Sequence, residues 1–142
     1  MNLQKRIALS LASVTLLALT AGGASAATLT RGTFTLPGQA YWNDTLLQPG
    51  DYTLSVSGSM SGVPIILLRG EGVNATFFAP AGFGQASGRS FLKLDDVNGT
   101  YVVRELDAAP LGAAYRFGVS KAARSQIMRG EARTVTVPVA GL

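Results

Sequence analysis

Few side chains in this sequence are equipped for covalent chemistry. There is no histidine and no cysteine. A Ser-His-Asp triad, a thiolate nucleophile and the usual zinc, copper or haem ligation are therefore excluded. Carboxylates remain: Asp44, Asp51, Glu71, Asp95, Asp96, Glu105, Asp107 and Glu131. A glycosidase needs two of them facing one another across a cleft. Most sit in expected turns, where acids serve local hydrogen bonds. No pair is aligned by its spacing. Lys93 and Lys121 lie in no recognisable nucleophile motif. A carboxylate-based hydrolase is the one enzymatic reading left, and the expectation is a protein that is not an enzyme.

Binding chemistry has more candidates. Tyr41 and Trp42 are adjacent, and Trp42 is the single tryptophan. With Phe83 they could form a stacking surface for a carbohydrate or a peptide. The competing reading puts the aromatics in the core, where large rings dominate the energetics of a small domain. Phe83 lies in PAGFGQASG, residues 80–88, the most glycine-rich loop. A phosphate cradle there would need a helix start behind it. The following residues, 90–94, read as a strand, so the loop is either a long hairpin connection or a mobile presentation of Phe83. Asp96, Asn98, Gly99 and Glu105 fall at four positions of a calcium loop, but Leu94 occupies the first and cannot ligate. Weak calcium binding at Asp95-Asp96 stays open. No cofactor and no metal site is expected.

The elements that would position these residues follow a leader. Lys5-Arg6 precedes an uncharged Leu- and Ala-rich run over residues 7–21, and Ala24-Ser25-Ala26 supplies a small-x-small cleavage site. The run is shorter than the roughly 20 residues a spanning helix needs, and Gly22-Gly23 breaks it. Residues 1–26 read as a cleaved signal peptide and 27–142 as one domain. Contact with a membrane is then confined to export through that peptide. Loss of Lys5 and Arg6 leaves ten basic residues against eight acidic. The arginines are spread singly from Arg31 to Arg133, with one denser group at Lys121, Arg124 and Arg129, so no nucleic-acid partner is expected. A cysteine-free exported domain must rest on its hydrophobic core, which favours a bacterial envelope, periplasmic or extracellular. Asn43, Asn74 and Asn98 each begin an Asn-x-Thr triplet. They read as turn asparagines before strand threonines.

Residues 27–142 alternate like strands. Thr28 to Leu36 should face Phe34 and Leu36 inward. Pro49-Gly50 suits a type II turn joining two strands. Beyond it Tyr52, Leu54 and Val56 share one face. VPIILL, residues 63–68, reads as a strand buried on both faces. Residues 75–79 set Phe77 and Phe78 on opposite faces. Asn98-Gly99 is the preferred pair of a type I′ hairpin over residues 90–106. Tyr115, Phe117 and Val119 alternate, and Val135, Val137 and Val139 do so again. Ser120 can cap one short helix stopped by Gly130, although the segment reads equally as a loop. About eight or nine short strands with turn signals between them predict an all-β fold, a single antiparallel β-sandwich or small barrel.

Gly32-Thr-Phe34 with Leu47-Gln-Pro49-Gly50-Asp-Tyr52-Thr-Leu54 resembles the G-x-F … L-P-x-G-x-Y-x-L signature of carboxypeptidase-regulatory-like (prealbumin-like) β-sandwich domains, which are exported and mostly non-catalytic. More broadly, residues 34–37, 42–54, 69–71 and 101–103 resemble the F-x-L-P segment, tryptophan-to-tyrosine hairpin, R-G-E turn and late tyrosine-valine hairpin of small exported β-proteins of acidobacterial type. Both resemblances imply export and a β-sandwich, and neither implies an activity. The expected function is a structural or interaction module of the bacterial envelope, self-associating through an edge strand or binding an envelope protein. A carbohydrate- or peptide-binding module that uses Tyr41, Trp42 and Phe83 is the alternative.

Overall fold

The computed structural model describes residues 30–58 and 62–142. The signal-peptide reading of residues 1–26 lies outside the described residues, as do residues 28–29 of the first expected strand. Eleven strands follow in order: β1 Thr30–Leu36, β2 Ala40–Trp42, β3 Thr45–Leu47, β4 Gly50–Ser57, β5 Ile65–Gly70, β6 Val73–Phe78, β7 Gly82–Gln85, β8 Phe91–Val97, β9 Thr100–Ala108, β10 Ala113–Arg116 and β11 Arg133–Pro138. A 3-10 turn, Ala109–Leu111, precedes β10, and one helix, α1, Lys121–Ile127, precedes β11. The count exceeds expectation because β2, β3 and β7 are only three or four residues long.

The strands form two sheets, a β-sandwich. The first has the order β1-β4-β5-β6. The second has the order β11-β8-β9-β10-β7, with β2 beside β9 and β3 beside β2. One pairing departs from the expected antiparallel pattern: β2 runs parallel to β9, Ala40 opposite Tyr101. Period-two alternation builds the core. Phe34 and Leu36 face inward from β1, Tyr52, Leu54 and Val56 from β4, Ile66 and Leu68 from β5, and Leu92 and Leu94 from β8.

Local turn chemistry accounts for the β8–β9 hairpin. Asn98 and Gly99 take φ of 53° and 85°, as a type I′ turn requires. The Asp96 carboxylate accepts the Gly99 N–H at 2.9 Å. Further along, Lys93 opposes Glu105 while Leu94 opposes Val103, so Arg104 is an inserted bulge residue. The Ser120 hydroxyl accepts the Ala123 N–H at 3.1 Å and caps α1. Ala123, Val97 and Val102 are buried outside the main core, where α1 meets the outer face of the second sheet.

Pro49-Gly50 does not join a hairpin. β2 and β3 pair across Asn43-Asp44, with Asn43 at φ 51°. β3 lies in the second sheet and β4 in the first, so Pro49-Gly50 carries the chain between layers. The physical reason is handedness: type I and II turns splay the strands of a two-residue hairpin, whereas the primed types match their twist. Gly50 takes φ 140°, and a Cβ there would strike the Glu71 side chain. The glycine-rich stretch is also more ordered than a plain loop, because it contains β7 paired to β10.

One side of the sandwich is closed. Thr33 and Ala140 exchange both backbone hydrogen bonds, at 2.8 and 2.9 Å, linking β1 to the chain just beyond β11. Leu142 is buried against the core. At Gly32 a Cβ would come within 2.6 Å of Val139 and 2.8 Å of Leu142. The opposite side, between β6 and β7, has no such link among the described residues.

Gly32→Ala should therefore push the C-terminal residues off β1 and cost about 1–3 kcal/mol in urea unfolding. Alkaline pH provides a second check. The Tyr52 hydroxyl donates to the Gln48 carbonyl at 2.6 Å. Burial, then the charge of Glu71, pushes its pKa up from 10.0. Burial also raises that of Tyr115. A raised folded pKa gives stability that is complete below the unfolded value and lost as pH rises through the folded value. Unfolding free energy should fall as pH climbs past 10. In Tyr52→Phe the fall should be shallower, on a neutral-pH baseline lowered by about 1 kcal/mol for the lost hydrogen bond.

Candidate interaction surface

Successive residues of a strand point to opposite faces, so Tyr41 and Trp42 cannot share one surface on β2. Trp42 is the inward one, with 0% of its surface exposed. Its indole stacks on Phe78 at 4.7 Å and 11°, and meets Phe117 edge-on at 5.0 Å and 72°. Phe34 lies at 6.3 Å and itself stacks on Tyr52 at 5.6 Å. The indole N–H finds no acceptor among the described residues. Trp42 is thus corrected from a candidate ligand-stacking residue to a core residue. Tyr41 is left half-buried on the other face.

Phe83 belongs to a different place. It opposes Tyr115, which opposes Leu106, so it sits on the inner face of the second sheet. It is nonetheless 53% exposed. It meets the Tyr115 ring edge-on at 5.9 Å. The open side of the sandwich explains the exposure, since β7 extends past the cover of the first sheet. The structure therefore does not assemble Tyr41, Trp42 and Phe83 into one platform.

The acids are mostly committed to other partners. On the outer face of the second sheet Asp95 meets Arg104 at 3.0 Å. Glu105 lies between Lys93 at 3.7 Å and Arg116 at 3.4 Å. Lys93 and Arg116 stand directly across from Glu105 on the neighbouring strands, and the bulge adds Arg104 to the cluster. With Phe117 they line a concavity of about 350 Å³. Both carboxylates here are engaged by cations across the strands, and Asp96 and Glu131 share a separate concavity with Arg133. Asp51 accepts the Thr35 hydroxyl at 2.6 Å within a concavity of about 710 Å³ that also holds Thr33, Thr53 and Arg69 beside Val137 and Pro138. Asp107 is buried and accepts the Ser87 N–H at 2.9 Å, while its other oxygen has no partner among the described residues. Asp95 and Asp96 follow one another along β8 and so point apart. No group of three acids able to hold a metal occurs among the described residues.

The surface that sequence reasoning missed is on the first sheet. VPIILL is not buried on both faces. Ile66 and Leu68 are in the core, but Ile65 and Leu67 are only half-buried on the outer face, and Val63 is 43% exposed. Phe77 stands directly across from Leu67 and is 67% exposed. The cause is simple: among the described residues no second layer covers this face, as both faces of parallel sheets in α/β folds are covered. The apolar row ends on β6, whose sequence is VNATFF, without charge or proline. Among the described residues β6 hydrogen-bonds only to β5. An exposed edge with this composition is a template for another strand.

No protein family, no curated protein and no solved structure matches this chain.

Trp42→Ala should cost about 3–5 kcal/mol in urea unfolding, as for other large buried aromatics. Because Trp42 is the single tryptophan, native emission should be blue-shifted and poorly quenched by acrylamide, moving red only on unfolding. Quenching by soluble sugars or peptides without unfolding would contradict the buried assignment.

Proposed function

We propose that this chain is an exported, non-catalytic interaction module of a bacterial cell envelope that self-associates through an open sheet edge. The observation that carries this reading is β6: an uncharged edge strand beside an exposed apolar row, in a sandwich whose other side is closed by its own C-terminal residues. The ion-paired state of Asp95 and Glu105 supports a role without catalysis. Export rests on the leader-like pattern of residues 1–26.

Two measurements test the proposal. Expressed with its N-terminal segment in a bacterial host, the protein should reach the envelope fraction with a mass that begins at Ala27. Retention in the cytoplasm with residues 1–26 attached would remove the export part. In sedimentation velocity the exported form should pass from monomer to dimer as concentration rises. A strict monomer throughout would remove self-association.

A further inference from the structure

Resting on that reading of self-association, we infer that β6 is the pairing edge and that its occupant is the β6 of a second copy, antiparallel about a two-fold axis at Phe77. The two four-stranded sheets then become one sheet of eight.

The choice of β6 comes from how the other edges are protected. β11 carries Arg133 and Pro138, and the chain beyond it bonds to β1. A charge and a proline both block strand addition. β1 is occupied at Thr33 by Ala140 and carries Arg31. β3 has three residues. β7 has four, two of them glycine. Among these edges β6 alone combines six residues with no charge and no proline. Its one irregularity is near its start, where Asn74 and Ala75 together oppose Arg69. Beyond that bulge the strand is regular to Phe78.

The choice of a second copy follows from symmetry. A two-fold interface sets the same patch against itself, so any charge near the axis would meet its own kind. The segment Ala75-Thr76-Phe77-Phe78-Ala79 has none. With Phe77 on the axis, Thr76 of each copy opposes Phe78 of the other, and alanines meet at both ends. A two-fold axis perpendicular to the sheet keeps both Phe77 rings on the outer face. There they form a cross-strand aromatic pair, with Cβ atoms roughly 4.5–5.5 Å apart. The half-buried Leu67 of each copy flanks that pair, so the apolar rows join into one. Phe78, stacked on Trp42, holds the edge in place beforehand, which limits the ordering cost of pairing. Pro80 ends the ladder, since it has no N–H to donate.

The absence of native cysteine makes crosslinking a clean test. In the full exported form, Phe77→Cys should oxidise to a covalent dimer, because directly opposed residues have Cα atoms roughly 4.5–5.5 Å apart, within the span of a disulfide. Phe83→Cys on β7, exposed to a similar degree, should stay monomeric. Phe77→Lys should raise the dimer dissociation constant at least tenfold by sedimentation, with its thermal midpoint and circular dichroism close to wild type. If the wild-type chain never dimerises, the self-association reading falls and the inference with it. If it dimerises but Phe77→Lys is without effect, or Phe83→Cys crosslinks in place of Phe77→Cys, the β6 assignment is overturned while self-association stands. Open-ended oligomers in place of a dimer would overturn the two-fold arrangement.

Discussion

The stack of Trp42 on Phe78 is the contact on which the rest of the sandwich depends. Trp42 comes from the second sheet and Phe78 from the last strand of the first. Phe117 closes on the indole from the second sheet, and Phe34 from the far strand of the first. One side chain therefore touches both layers and both ends of the four-stranded sheet. The chain has no disulfide to share that task, so packing of this kind must hold the layers together. The stack also dictates what lies outside. Because Phe78 points inward, the strand period forces Phe77 outward. An anchored core residue and an exposed hydrophobic residue are two results of one constraint.

The two sides of the sandwich answer the problem of sheet edges differently. At β1 and β11 the C-terminal residues complete the hydrogen bonding, and Gly32 makes room for them. At β6 and β7 no comparable segment is present among the described residues. The two outer faces differ in the same sense. The second sheet carries α1 and the cluster of Lys93, Asp95, Arg104, Glu105 and Arg116. The first sheet carries threonines and Asp51 near its closed side, then Leu67 and Phe77 near its open side. Polarity falls across the first sheet toward the edge that lacks a partner among the described residues. That gradient is a feature of the whole layer and not of one stray phenylalanine.

What was legible in the sequence was local. The alternation of Tyr52, Leu54 and Val56, the Asn98-Gly99 turn and the Ser120 cap each depend on neighbours within a few residues, and each is found in the structure. The all-β class follows from many such signals together. What was not legible depended on residues far apart. Pro49-Gly50 has the chemistry of a turn, but which sheet each flanking strand joins is decided by β1, β5 and β9. The parallel contact of β2 with β9 brings together residues about sixty positions apart in the chain, and a non-local pairing of that kind leaves no local pattern. The exposure of Leu67 and Phe77 is the same kind of fact. An apolar run tells that a face avoids water, and only the tertiary arrangement tells whether the chain itself supplies the cover.

VPIILL then has a more specific meaning than a buried strand. Ile66 and Leu68 are accounted for by the core, and the alternation would be satisfied by polar residues at 65 and 67. Sheets with one solvated face normally show that alternation. On β4, one strand away, they do: Asp51 and Thr53 stand outside and Tyr52 and Leu54 inside. The departure is confined to β5 and continues at Phe77 on β6, the two strands nearest the open edge. Fold stability gains little from apolar groups left half in water, since the favourable term scales with area removed from it. The residues at 65, 67 and 77 are thus not explained by the sandwich they belong to, and they fit the strand pairing proposed for this edge.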